Sequence, residues 1–282
     1  MTKRRKLKKA KTLKHILLWA VIVIAAIHLI SAATLDRVVE YKKVPFRSAS
    51  VPSDLDGYTI AFFTDTHSMP VQKLEEVVSK VSEMQPDILV LGGDYSANRE
   101  TMERSMEVFS NAGAADGVYG VCGNHDNQAS VSAAMESHSI HPLLNSGIRI
   151  KEHFYIAGTE DLWAGCPDVG KALERGHPGD FVLLAAHNPD TVMAQDASAA
   201  DLVLSGHTHG GQITFFGLWA PALSGLNDIT LYGQRFMSGW AEAKDGAPVY
   251  VSNGAGTFPH VPRIFARPQV ILITLQTDTK TP

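Results

Sequence analysis

The spacing of apolar and polar positions divides the chain near residue 58. Ahead of that point lies one unbroken apolar run, 16–33, interrupted only by His28 and Ser31. As a helix of 1.5 Å rise per residue, the run spans roughly 27 Å, close to the hydrocarbon thickness of a bilayer. Residues 35–57, with Pro45, Pro52 and Gly57, predict a connector. Beyond them the period changes. Short runs rich in β-branched and aromatic residues predict strands at 58–64, 88–91 and 118–122. Between the first two, Val71, Leu74, Val77, Val78 and Val81 recur at helical spacing in a helix expected over 71–84, and further helices are expected at 99–112 and 130–137. The second half is strand-rich, with strands predicted at 154–157, 181–186, 201–204, 212–216, 248–252 and 269–275. Residues 217–246 hold Trp219, Tyr232, Phe236 and Trp240 without periodicity, which predicts a lid or pocket wall. Strand, polar loop and helix therefore alternate. That pattern builds a mixed or parallel sheet with helices outside, where function collects at the carboxyl ends of strands.

Composition and charge sharpen the division. The chain has 282 residues, 45% of them hydrophobic, enough for one large core once the N-terminal segment is set aside. Residues 1–14 hold eight of the 25 basic residues and no acid, leaving 17 basic against 29 acidic downstream, a net −12. So acidic a body excludes nucleic-acid binding through bulk charge. The basic cluster ahead of an apolar run predicts a single-pass anchor with a cytoplasmic N-terminus and everything after Ala33 outside the cell membrane. An alternative stays open, cleavage at Ser31-Ala32-Ala33 with release of a secreted domain. The expected organisation is thus a basic flank over 1–14, an anchor over 15–34, a connector over 35–57 and a catalytic domain over 58–282. Within the span, His28 is expected near the outer interface. The two cysteines, Cys122 and Cys166, belong to no CxxC pair and are expected to be buried free thiols.

Chemistry gathers where the predicted strands end. Gly206-His207-Thr208-His209-Gly210 follows one strand, and residues i and i+2 of a regular strand share a face. Asp65-Thr66-His67, Gly92-Gly93-Asp94 and Gly123-Asn124-His125-Asp126 each follow another. His187 ends the run 181–186. Taken singly, Asp65 and Asp94 could be helix N-caps, and 123–126 could be a turn. Taken together, Asp65, His67, Asp94, Asn124, His187, His207 and His209 offer seven nitrogen and oxygen ligands without a thiolate. That set suits two divalent ions of borderline softness, Mn, Fe, Zn, Co or Ni, with one carboxylate bridging. Two ions ~3.5–4 Å apart clamp the attacking and leaving oxygens of a displacement at phosphorus and lower the pKa of water enough to give hydroxide near neutral pH. The expected reaction is hydrolysis of a phosphoester.

The five ordered motifs, spread over about 58–275, resemble the calcineurin-like metallophosphoesterases. Within them, His187-Asn188-Pro189-Asp190, His207–Ile213 and Val251–Gly256 with Arg267-Pro268 resemble a membrane-associated bacterial phosphodiesterase branch. The resemblance implies an α/β four-layer αββα sandwich, behind the N-terminal membrane helix. It implies Asp65, His67 and His209 on one metal, Asn124, His187 and His207 on the other, and Asp94 bridging. It also implies that His125, beside Asn124, faces the leaving oxygen as acid or electrostatic stabiliser, oriented by Asp126. Ala97 departs from the pattern, since many relatives carry an acid there. The function expected is dinuclear metal-dependent hydrolysis of phosphodiesters. Alternatives are a phosphomonoesterase, a pyrophosphatase for a lipid-linked nucleotide sugar, which the outward orientation disfavours, and a metal-dependent scaffold without turnover. For the substrate, Arg263 and Arg267 flank an apolar stretch after the Gly254-Ala255-Gly256 turn, and arginine forks suit phosphate. Arg263 is therefore expected to bind a lipid or cell-envelope diester held by apolar contact.

Overall fold

The computed structural model describes residues 3–67, 69–96, 98–224, 229–258 and 261–278. Ala97 and residues 225–228 of the expected lid lie outside the described residues. The chain opens with a long helix α1 (Lys3–Ala33), then strand β1 (Glu40–Ser48), β2 (Thr59–Phe63), α2 (Val71–Ser82), β3 (Ile88–Leu91), α3 (Arg99–Ser110), β4 (Val118–Gly120), α4 (Gln128–Ser137) and a short β5 (His141–Pro142). It continues through β6 (Ser146–Lys151), β7 (Phe154–Gly158), α5 (Val169–Leu173), β8 (Phe181–Ala185), α6 (Thr191–Ala194), β9 (Leu202–Ser205), β10 (Gly239–Glu242), β11 (Pro248–Val251) and β12 (Gln269–Thr277).

Among the described residues these strands form two six-stranded sheets, ordered β1-β12-β2-β3-β4-β5 and β10-β11-β9-β8-β7-β6. In each, four neighbouring strands run parallel, β2 to β5 in the first and β7, β8, β9 and β11 in the second. Successive side chains of a strand point to opposite faces. Ile60 and Phe62, Ile88 and Val90, and Ile271 and Ile273 therefore pack inward against Phe154, Ile156, Leu183, Leu202 and Leu204 of the other sheet. Their neighbours Ala61, Phe63, Leu89 and Leu91 meet Leu74, Val77, Met106, Phe109 and Met135 of α2, α3 and α4. On the far side Tyr155, Leu184, Val203 and Val249 meet Val169, Val192 and Phe236. The result is a mixed α/β sandwich of two sheets between helical layers. Strands apolar on both faces read as continuous hydrophobic runs because both faces are covered.

Three sequence expectations change. Residues 35–57 are more than a connector, because β1 pairs in parallel with β12 from Glu40↔Gln269 to Ser48↔Thr277. Its Pro45 masked it; an edge strand tolerates a missing N–H. The strand expected at 212–216 does not form. Gln212 and Phe216 adopt positive φ of 56° and 55°, leaving isolated bridges Ile213↔Ile264 and Phe215↔Trp219. Of the two free cysteines, Cys122 is buried in the core under α4, but Cys166 is exposed. Helices α3 and α4 also start on their own caps. Asn98 accepts from Thr101 N–H (3.0 Å) and Asn127 from Ser130 N–H (3.0 Å), so Asp94 is free of capping duty.

Candidate metal centre

Each parallel strand of both sheets ends at one pole of the sandwich, and the polar loops that follow converge there. Asp65 and His67 leave β2, Asp94 leaves β3, Asn124 leaves β4, His187 leaves β8, and His207 and His209 leave β9. The last pair is not in a strand. Both residues lie past the end of β9, at φ 68° and 54°, and a tight turn rather than strand alternation aims their rings. Asp65, His67 and Asp94 are left-handed too, at φ 54°, 42° and 58°. Non-glycine residues avoid this region, at a cost of about 1–3 kcal/mol each. Five such positions in one pocket persist only where the surroundings dictate them.

Those surroundings are dense. Asp65 N–H donates to Gly93 O and His67 N–H to Asp94 O, each at 2.9 Å, tying the first two loops together. The Asp126 carboxylate accepts from the N–H groups of Asp94 (2.7 Å), Gly123 (2.8 Å) and Tyr95 (3.0 Å). It is a knot between loops, and among the described residues its hydrogen bonds go to these backbone N–H groups rather than to the His125 ring. Burial first, then the Asp94 charge, push Asp126 up to about 7 against those three N–H groups. Close approach requires glycine at two points. A Cβ at Gly123 would fall on Asp94 Oδ1, and one at Gly206 on Thr64 Oγ1 and Asp65 Oδ2.

Around Asn124 and Asp94 the polar atoms of His187 and His207 are acceptors facing acceptors. His187 Nδ1 lies 2.7 Å from Gly92 O and His207 Nε2 lies 2.9 Å from Ile229 O, so those nitrogens carry the ring protons. Their other nitrogens are bare. His207 Nδ1 faces Asn124 Oδ1 at 2.8 Å, and His187 Nε2 faces the same oxygen at 3.2 Å and Asp94 Oδ2 at 3.4 Å. Nearby, His67 Nε2 stands 2.9 Å from His209 Nε2 and 3.5 Å from Asp94 Oδ2, and His209 Nε2 stands 3.4 Å from Asp65 Oδ1. Buried lone pairs turned on each other repel unless a cation sits between them. A divalent ion about 2.0–2.2 Å from each donor would space its ligands about 3.0–3.5 Å apart, the separations seen here. The residues therefore fit metal ions.

Electrostatics agree for two of the imidazoles. Burial is the largest influence on His207 and His209 and holds them down at about 4 and about 3, keeping the rings neutral and able to ligate. At His187 burial acts to lower the pKa, yet the Asp94 and Asp65 carboxylates outweigh it and push the ring well above its ordinary value, so a cation held there has to displace its second proton. Burial acts to raise Asp65 and Asp94, yet the surrounding imidazoles outweigh it and hold both carboxylates below their usual range. Two acid–histidine triads have ligand atoms close enough to share an ion, Asp65/His67/His209 and Asp65/Asp94/His187.

Above them opens a cavity of about 320 Å³ lined by Trp163, Gln212, Ala222, Ile229, Phe258 and Val261 as well as Asp94, Asn124, His125 and the His207–His209 turn. The sequence reading missed several contributors. Trp163 packs edge-on against the His207 ring at 4.4 Å, and Phe258 lies 5.7 Å from both His67 and His125. Buried Asp161 follows β7 at the same pole, and its strand-end position after 154–157 was the available signal. Asp190 anchors the cavity wall by accepting from Thr230 Oγ1 (2.5 Å) and Leu231 N–H (2.8 Å).

Arg263 is where the structure departs most from expectation. It is 2% exposed, and its guanidinium donates to the carbonyl oxygens of His209, Ala266, Asn253, Gly254 and Gly256. Burial lowers it to about 10, still charged at neutral pH. With its protons spent on these carbonyls and on His209 Nδ1 (3.3 Å), it holds the His209 turn and ring rather than a substrate phosphate. Arg267 likewise donates to Val38 O at 2.9 Å.

Residues 58–211 match the model of the calcineurin-like phosphoesterases. The chain belongs to that family. Among curated relatives, the uncharacterized metallophosphoesterase YkuE of Bacillus subtilis is 27% identical over 84% of this chain and 86% of its own length. The phosphodiesterase YaeI of Escherichia coli is 27% identical over 83% and 88%. A Danio rerio transmembrane protein with metallophosphoesterase domain is 29% identical over 90% of this chain, which spans 60% of that relative. The calcineurin-like family uses a dinuclear divalent metal centre, and the chain is a metal-dependent phosphoester hydrolase with a candidate pair of metal sites. Its family match stops at Gly211, so Phe258 and Arg263 close the site from outside the matched stretch.

Arg263→Ala should lower stability by at least about 2 kcal/mol, because several buried carbonyls lose their donor. Thermal unfolding would show the loss, and KM should change equally for small and large substrates. A rise in KM confined to large substrates would return Arg263 to substrate binding.

Proposed function

We propose that this enzyme hydrolyses phosphodiesters at two metal ions, Asp65, His67 and His209 holding one, Asn124, His187 and His207 the other, and Asp94 lying between them. The observation that carries this reading is the set of buried acceptors turned on one another around Asp94 Oδ2. When bound, such ions polarise the phosphoryl oxygens and lower the pKa of water near them.

The chain's own residues do the rest. Asp94 Oδ1 accepts from His125 N–H at 2.8 Å, fixing that loop to the centre. The exposed His125 ring stands beside His67, centroids 5.4 Å apart, on the open side of the cavity. There it can hand a proton to the departing oxygen. The described cavity lining contains no lysine or arginine. That favours the single charge of a diester over the double charge of a monoester, and the apolar wall of Trp163, Ile229, Phe258 and Val261 suits a second ester arm. The name of YaeI, a phosphodiesterase, points the same way. A lipid or cell-envelope diester fits best, because the domain hangs from an apolar helix.

That helix is the one described stretch long and apolar enough to cross a membrane, and homologues named transmembrane proteins accompany it. The positive flank of 1–14 supports an N-in anchor with the catalytic domain outside the cytoplasm.

Three measurements test this. Asp94→Asn should lose both metals by elemental analysis and nearly all turnover, because a neutral amide bridges two cations poorly; two metals per chain with a near-normal rate would refute the bridge. His125→Ala should keep its metals and slow turnover about 10²–10⁴-fold. That loss should shrink for nitrophenyl esters, and an equal loss across leaving groups would remove the acid role. A reporter fused at the C-terminus should read extracytoplasmic in membranes washed with high salt; a cytoplasmic signal would reverse the orientation.

A further inference from the structure

The anchor does not simply tether the domain. Its last turns are clamped to it. The His28 ring packs on Phe216 at 4.6 Å, Phe265 at 4.9 Å and Phe215 at 5.6 Å. Asp36, just past the helix, accepts from Ser31 Oγ and from Phe265 N–H, each at 2.8 Å. Position along the helix then becomes informative. Between Lys14 and Asp36 the chain carries no acidic residue, lysine or arginine. A hydrocarbon core about 30 Å thick consumes about 20 residues of helix, so the stretch has almost no slack. His28 lies about 7.5 Å of helical rise before Ala33. Whatever packs on His28 must therefore lie level with the bilayer boundary and cannot stand clear of it.

What packs there is built for that place. Residues 213–223 contain no charged residue. Ile213, Phe215, Leu218 and Trp219 are all exposed, Leu218 at 79%. The turn also satisfies most of its own backbone N–H groups. Thr214 N–H donates to Ile264 O (2.9 Å), Phe215 N–H to Trp219 O (2.7 Å), Leu218 N–H to Phe215 O (3.0 Å) and Gly217 N–H to Thr214 Oγ1 (2.8 Å). Fewer unmet donors lower the cost of lying at the edge of a bilayer.

We propose that the turn 213–219 is a second membrane contact, its Ile213, Phe215, Leu218 and Trp219 side chains sunk into the boundary between headgroups and acyl chains beside α1. The partner is the lipid surface that α1 crosses. The proposal rests on α1 being a membrane span and is independent of which phosphoester is cleaved. Tryptophan suits such a boundary, and an apolar turn of this kind buries ~5–10 Å deep. Because the turn leaves the cavity wall at Gln212 and returns to it at Ala222, the mouth of the site lies against the headgroups.

The test uses the full chain in vesicles of phosphatidylcholine and phosphatidylglycerol. The exposed Cys166 is replaced by serine, and single cysteines carry an environment-sensitive fluorophore at Leu218, at Ile22 within the span, and at exposed Ser198 ahead of β9. Leu218→Cys should be quenched by doxyl-labelled lipid at least about threefold more than Ser198→Cys, and shielded from aqueous iodide by a similar factor. A Leu218 label that follows Ser198 while Ile22 is lipid-quenched overturns the second contact alone. An Ile22 label open to iodide overturns the span, and the second contact with it. Ile213→Cys, at the other end of the turn, repeats the measurement should Leu218→Cys fold poorly.

Discussion

Lone pairs buried face to face are the constraint on which this molecule depends. Around Asp94 the oxygens and imidazole nitrogens stand 2.8–3.5 Å apart, and the hydrogen bonds to Gly92 O and Ile229 O have already fixed where two of the ring protons go. Such a cluster is unstable by itself in a low-dielectric interior. Divalent cations resolve it, and chemistry at phosphorus is what two cations side by side do well.

Holding that cluster requires a backbone that an unconstrained chain would avoid. Five of the converging residues have positive φ, and at about 1–3 kcal/mol each the strain rivals the whole stability of a typical domain. Two buried ionisable groups offset it by saturating loop backbone. Asp126 gathers N–H groups from the β3 and β4 loops, and Arg263 gathers carbonyls from the β9 and β11 loops. Asp126 does so through carboxyl oxygens that accept, and Arg263 through a guanidinium that can only donate. Both are positioning residues for the metal centre.

Helix α1 and the centre are linked through one loop. The chain that carries His209 continues through Gln212 on the cavity wall into the apolar turn that packs against His28 of α1. Cavity, turn and helix end thus share a single surface. An acidic body presents a cavity whose described lining holds no lysine or arginine, beside a helix long and apolar enough to cross a membrane.

Much of this was legible in the residues. Apolar runs covered on both faces announce buried strands whatever surrounds them, so β2, β3, β8 and β9 and the donor side chains behind each could be read directly from period and composition. Edge elements could not. β1, with Pro45 inside it, and β10 gain their identity from the strands they pair with. The amino-acid order likewise gave Asp65, His67, Asp94, Asn124, His187, His207 and His209 as one chemical set, since donor chemistry is a property of residue type. Which backbone twist aims them, which proton each imidazole keeps and whether an arginine faces substrate or backbone depend on groups distant in sequence. Arg263 shows the limit: its charge and fork are fixed by its identity, but five carbonyls brought together only by folding decide what that fork holds.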